Sequence, residues 1–223
     1  MKKKKEKVVN KEKKLKMKAW VKGIILIAVV FVIAGVCLFL YGKLHRKKDD
    51  PINVTSIKES IVKYGYSLND NVTDYYDSEF HILKDMAYND EVSEEDIAKQ
   101  VAKLFIIDLY SMDYKINKYE VTSAQYYYSD KQEMFRNKVV DKLYNLVEDN
   151  AYDDREQKLP EVTNVEVTDL EKSTYKMGDN KVASYEVELS ISYKEDMGYD
   201  KKGLVTLVKD GDNNISVVSY KKI

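Results

Sequence analysis

Groups able to do chemistry are scarce in this chain of 223 residues, which holds two histidines and one cysteine. His45 lies in a basic stretch, and His81 follows Phe80 in a segment of helical periodicity. A Ser-His-Asp triad would have to use one of them, and no serine or aspartate stands out as its partner. No cysteine follows Cys37, so a His/Cys metal site cannot form in the long C-terminal part. The run Asp210-Gly211-Asp212-Asn213-Asn214 opens like a calcium loop, D-x-D-x-N. Its sixth and twelfth positions hold Ile215 and Lys221 rather than Gly and Glu, and a polar hairpin turn accounts for the same residues. No catalytic residue, metal or cofactor is expected.

Asp108 is the one ligand-binding candidate. It interrupts the apolar stripe of Ile97, Val101, Leu104 and Phe105, which recurs at helical spacing. A carboxylate facing a cavity there can bind a ligand or act as a general base, with Asp113 and Asp141 as conceivable neighbours. The competing reading is a helix-edge carboxylate, solvated or paired with a lysine. Tyrosine is abundant, 19 residues in all, including Tyr75-Tyr76 and Tyr126-Tyr127-Tyr128. Such rings build interfaces or stack on sugars, but on strands they also fill cores.

Those residues must be carried by elements. Thr73 is placed to cap a helix with Tyr76, Phe80, Leu83 and Ala87 on one face, over residues 74–87. Ser93 precedes Glu94-Glu95-Asp96, a hydroxyl and three carboxylates where free N–H groups favour them, so a second helix is expected over 94–112. A third, over 130–148, would bury Met134, Phe135, Val139, Leu143 and Leu146 or Val147. Alternation from Ser60 to Leu68 suggests a short strand, with a helix from Ile57 as the rival. After Pro160 the period becomes two: Tyr185, Val187, Leu189, Ile191 and Tyr193 alternate with Glu186, Glu188, Ser190 and Ser192. Strands are expected at 162–176, 181–194, 203–209 and 214–221, forming an antiparallel meander that helices must cover. The fold class is α+β, helices first and a curved antiparallel sheet after them.

The N-terminal part has a different composition. Gly23–Tyr41 is an uncharged run of nineteen residues, GIILIAVVFVIAGVCLFLY. As a helix it spans roughly 28 Å, close to the bilayer's hydrocarbon thickness, with Trp20 and Tyr41 as interfacial anchors. Eleven lysines and two glutamates precede it, against four basic residues (Lys43, Arg46, Lys47, Lys48) just after it. That bias places the N-terminus in the cytoplasm. A cleaved signal peptide would be shorter and end in a small-x-small site. A lipidated Cys37 would want a small residue where Val36 stands. The expected plan is a basic cytoplasmic tail (1–22), a transmembrane helix (23–41), a juxtamembrane linker (42–55) and an extracytoplasmic domain (56–223). From Asp49 onward, 22 basic residues face 36 acidic ones, a balance of −14 that argues against a nucleic-acid surface. Sequons at Asn53, Asn71 and Asn214 matter only in a glycosylating host.

The anchor Gly23–Tyr41, the helix EEDIAKQVAKLFIIDLYSM (Glu94–Met112), the helix after Ser129 and the strands from Val162 to Tyr220 follow one another in a telling order. That order resembles the bitopic assembly factors of type IV secretion and conjugation, whose outer domain has the nuclear-transport-factor-two-like (cystatin-like) superfold. The segment LFIIDLYSMDYKINKYEVTSAQYYYSD also looks like anchored proteins of low-GC Gram-positive bacteria. The resemblance covers most of the chain as architecture and includes no diagnostic motif. It implies a non-enzymatic scaffold at the cell membrane, touching the lipid bilayer, other envelope proteins and, in such assemblies, further copies of itself. An anchored small-molecule or glycan binder is the alternative, and an envelope enzyme using Asp108 comes third.

Overall fold

The computed structural model describes Trp20 and residues 27–37, 55–211 and 214–223. The chain divides into two units, Met1–Asp50 and Pro51–Ile223, taken separately below. In the first, residues 27–37 are helical, with exposed apolar side chains such as Phe31 and Val32, and Trp20 is exposed. Among the described residues no helix is long and apolar enough to cross a membrane. Both ends of the expected span (23–26 and 38–41, with Tyr41), the rest of the basic tail, His45 and most of the linker lie outside the described residues.

The second unit is α+β. It opens with a hairpin, β1 (Ile57–Ile61) against β2 (Tyr66–Asn69), antiparallel. The single strand expected over Ser60–Leu68 is thus two strands, and the alternation misled because the chain reverses inside it. Tyr64 N–H donates to Ile61 O at 3.1 Å, and Gly65 takes φ +69°, a left-handed value that glycine adopts without Cβ strain. Val62, expected among the apolar set, sits on the turn and is 82% exposed.

Two helices follow, α1 (Asp74–Ala87) and α2 (Glu94–Tyr110). Their starts are where the capping hydroxyls are. Thr73 Oγ1 accepts from Tyr76 N–H at 3.1 Å, and Ser93 Oγ accepts from Asp96 N–H at 3.1 Å. Ser93 also donates to Asp96 Oδ2 at 2.8 Å, which closes the first turn of α2. Ser93→Ala is expected to destabilise the domain by about 1 kcal/mol, read as a lower urea midpoint at unchanged m-value. An unchanged midpoint would show that tertiary packing alone sets the start of α2.

From Val101 onward α2 is apolar nearly all round, as a helix buried on every side must be. It packs on α1 and on all four strands of the main sheet. Glu79 of α1 ties the two helices together, accepting from Gln100 Nε2 at 2.7 Å and Lys103 Nζ at 2.8 Å. Two 3-10 turns, Thr122–Tyr126 and Ser129–Lys131, then lead into α3 (Gln132–Lys142).

The helix expected over 130–148 therefore ends early. Tyr144 N–H bonds back to Val139 O at 2.8 Å, and the fully buried Tyr144 ring turns inward. Of the expected buried face, Phe135, Val139 and Val147 are buried. Met134 is 60% exposed and Leu146 76% exposed. A short helix touching the core at two positions leaves space beside it.

The sheet is a meander, β3 (Val162–Met177), β4 (Asn180–Tyr193), β5 (Lys202–Lys209) and β6 (Ile215–Lys222), in that order and antiparallel throughout. The expected alternation on β4 is present: Val187, Leu189 and Ile191 are buried, with Tyr185 and Tyr193 half-buried at the ends of the same face. β3 carries pairing irregularities at Val162/Asn164 and Val167/Asp169, where an extra residue raises local twist. The end of α2 is fastened to the start of β3. Pro160 O accepts from Met112 N–H at 2.8 Å, and Ser111 Oγ accepts from Val162 N–H at 3.1 Å.

Candidate functional site

Asp108 lies on the last turns of α2 and is completely buried. A carboxylate removed from water needs a cation and several donors, or it costs several kcal/mol. Both are supplied. Asp108 Oδ1 accepts from Lys115 Nζ, Tyr114 Oη and Thr122 Oγ1, each at 2.7 Å. Oδ2 lies 3.5 Å from Tyr76 Oη, which is itself 2.7 Å from Tyr126 Oη.

Lys115 is equally buried, and the loop around it is built to hold it. Its carbonyl accepts from Arg155 Nη1 at 2.8 Å, and the next N–H, of Ile116, donates to Glu120 Oε2 at 2.7 Å. Its ammonium lies 4.7 Å from the Tyr114 ring centre and 5.7 Å from that of Tyr144, on faces that favour a cation.

Burial pushes the Tyr76, Tyr114, Tyr126 and Tyr144 hydroxyls far above the ordinary tyrosine range, and the negative charge of Asp108 adds to the effect. These phenols act as donors and stay protonated. Asp108 thus stands inside a closed polar network, not on a cavity wall as the ligand-binding reading supposed. Asp113 lines a separate shallow cleft with Lys158 and Lys194, and Asp141 is exposed on α3, so the suggested carboxylate cluster does not assemble. One signal could have identified Lys115. A lone carboxylate in an apolar helix demands a cation, and Lys115 is the first lysine beyond it.

A cleft of about 560 Å³ lies between α3 and the outer end of the sheet. Its apolar wall includes Tyr127, Phe135, Val139, Leu143 and the exposed Met134. Tyr127 and Phe135 stack at 4.4 Å with their planes 12° apart, and Phe105 of α2 lies 5.6 Å from Phe135 beneath them. Tyr127 Oη donates to Val218 O at 2.8 Å, which anchors this wall to β6. The opposite wall is Tyr110 and Tyr220, whose hydroxyls are 3.0 Å apart, with Tyr110 donating to Asp200 Oδ2 at 2.9 Å. Lys138, Lys142 and Lys222 complete the lining.

Gly203 is part of this construction, since a Cβ there would fall 2.5 Å from Tyr220 Cε2. The ring is held by Tyr110, so it cannot simply swing away. Gly203→Val is expected to cost about 1–3 kcal/mol and to displace Tyr220 from the cleft wall. Tyrosine-ring NMR shifts and a denaturant curve check this, and an unchanged Tyr220 environment would refute it.

The remaining candidates have structural roles. His81 is about half exposed on α1, its Nε2 2.9 Å from Glu59 Oε2 and its Nδ1 2.8 Å from Asp77 O. In the calcium-like run, Asp210 Oδ1 accepts from Asn214 N–H at 3.0 Å and Oδ2 from Ser216 Oγ at 2.8 Å, so its carboxylate organises the β5–β6 turn. Asp212 and Asn213 lie outside the described residues. Among the described residues, no cluster of three or more His, Cys, Asp or Glu side chains is arranged to hold a metal. Of the tyrosine runs noted in the sequence, Tyr76 and Tyr126 are buried and Tyr75, Tyr127 and Tyr128 are half-buried. Tyr66, Tyr110 and Tyr144 are also buried, whereas Tyr88 and Tyr119 are exposed. Comparison with protein-family models, with curated proteins and with solved structures gives no match.

Proposed function

We propose that this chain is a single-pass membrane protein with a cytoplasmic N-terminus, whose second unit is a non-enzymatic interaction module outside the cytoplasm. Its most specific version is a component of a secretion- or conjugation-like assembly in the cell envelope, as the order of elements suggests. The anchor reading rests on the uncharged run Gly23–Tyr41 and the lysine excess before it.

The observation that carries the binding role is the aromatic cleft beside α3. It is open, largely apolar and rimmed by lysines, while the buried Asp108–Lys115 pair is sealed from any substrate. Preformed concave sites of this kind bind ligands or partner side chains. The domain also meets the stability requirement for such a role without disulfides, since its core is continuous from the first hairpin to β6.

In-cell photocrosslinking tests this reading. A photoreactive residue placed in turn at exposed positions such as Met134, Tyr119 and Val62 is expected to trap discrete partners in the membrane fraction. Absence of adducts at every position would sink the interaction role. Protease added to intact protoplasts is expected to remove the second unit, and full protection would reverse the orientation. A small-molecule or glycan ligand is the second reading, favoured by the cleft volume, which falls in the range of ligand pockets.

A further inference from the structure

We propose that the cleft beside α3 is a docking groove for an acidic segment of a protein partner, which seats an apolar or aromatic side chain between Phe135 and Tyr220. This rests on the interaction reading above and names the partner chemistry. Two sets of observations support it, one of shape and one of charge.

The first concerns the seat. The wall made by Tyr127 and Phe135 is rigid, because the rings stack on each other and are backed by Phe105. The facing wall is equally fixed, since Tyr110 meets Tyr220, Tyr193 and Tyr199 edge-on and donates to Asp200. In the first wall Met134 is 60% exposed, on a helix buried only at Phe135 and Val139. Rigid aromatic walls that include a flexible, exposed thioether accommodate an inserted side chain at little entropic cost.

The second concerns charge. Lys138 and Lys142 stand one helical turn apart on α3, where like charges repel. Both are exposed, and among the described residues neither has a carboxylate partner. This is notable in a unit that carries 34 acidic against 22 basic residues from Pro51 onward. Lys222 adds a third ammonium to the lining. The one carboxylate there, Asp200, is already engaged, accepting from Tyr110 at 2.9 Å and lying 3.8 Å from Lys222. An incoming Asp or Glu side chain therefore meets the uncommitted charge of Lys138 and Lys142 directly beside an apolar seat. Nucleic acid is disfavoured by the domain's negative balance. Because the cleft is open to solvent, a peptide can run along the lysines while one side chain points down.

The test uses the full chain in nanodiscs of zwitterionic lipid, with methyl groups of Met, Leu and Val labelled for NMR. The probes are a synthetic peptide with Asp and Glu flanking a central Leu-Phe pair, and a matched peptide with Lys replacing each acid. The acidic peptide is expected to shift the methyl signals of Met134, Val139 and Leu143, and to bind more weakly as salt rises. Lys138→Glu with Lys142→Glu is expected to weaken it about ten-fold or more, and Met134→Asp, which leaves the lysines intact, is expected to weaken it too. All three positions are exposed, so circular dichroism and melting temperature should stay unchanged.

Equal binding of both peptides, shifts confined to other surfaces, no binding, or indifference to charge reversal would each overturn the proposal. Vesicles containing phosphatidylglycerol that reproduce the same shifts would reassign the cleft to a membrane surface. Concentration-dependent shifts without peptide would reassign it to a second copy of this chain. Cellular crosslinks elsewhere on the domain, with a cleft that ignores the acidic peptide, would remove this site but preserve the interaction role.

Discussion

Asp108→Ala is expected to lower the stability of the domain by about 3–5 kcal/mol, a large share of the ~5–15 kcal/mol that holds a typical domain folded. The reason is the partner left behind. Lys115 has no exposure to water, and without Asp108 its ammonium keeps only the Thr122 hydroxyl at 3.2 Å, the Tyr114 hydroxyl at 3.5 Å and the two ring faces. Tyr114 and Thr122 lose their acceptor at the same time. Lys115→Met is expected to destabilise as well, by leaving the carboxylate without its cation.

The double variant Asp108→Ala, Lys115→Met removes both charges and is expected to be more stable than the sum of the single changes predicts. Coupling energies within a contacting network run to about 0.5–3 kcal/mol. Urea unfolding of all the variants reads this directly. A cost for Asp108→Ala below about 1 kcal/mol would show that the carboxylate is not held in this buried network in the folded state. Any activity lost in Asp108→Asn has to be separated from this destabilisation before it can count as catalysis.

Alkali is expected to unfold the domain cooperatively once the pH passes about 10. Burial holds the hydroxyls of Tyr75, Tyr127 and Tyr220 up to about 12, and those of Tyr66, Tyr110 and Tyr193 higher still. In the unfolded chain the same groups ionise at about 10. The folded state therefore binds more protons than the unfolded state across this window. Their contribution is fully present below the unfolded pKa and is lost as pH rises toward the folded values. Each tyrosine that stays protonated on folding steepens the loss by about 1.4 kcal/mol per pH unit, less for those partly open to water.

Phenolate absorbance and far-UV circular dichroism check this together. The buried set should ionise in one step coincident with loss of secondary structure. If every tyrosine ionised in one smooth phase near pH 10 with the fold retained, the buried-phenol core would be refuted.

Local signals in the chain were sufficient for much of the architecture. Thr73 and Ser93 lie at the two helix starts because a capping hydroxyl acts on an N–H three residues away, a distance the sequence itself displays. The alternation along β4 and the order of the four strands were equally legible, since a half-buried strand writes its two faces at a period of two. Local signals failed where the chain reversed or stopped for non-local reasons. The alternation around Tyr64 continued through a turn, and α3 ended early because Tyr144 is drawn under the end of α2 to donate to Leu109 O at 2.7 Å.

What the sequence determined by itself is a division. An uncharged run behind a lysine-rich tail precedes an acidic α+β unit with no cysteine and few groups capable of catalysis. What only the tertiary structure decided is the fate of its polar residues. Whether Asp108 meets solvent, a ligand or Lys115 depends on which segments pack over it, and those come from α1, the loop after α2 and the first 3-10 turn. Burial of a charge is a property of the surroundings, not of the residue. The cleft beside α3 arises for the same reason: a helix that reaches the core at two positions leaves an aromatic hollow that no local periodicity encodes.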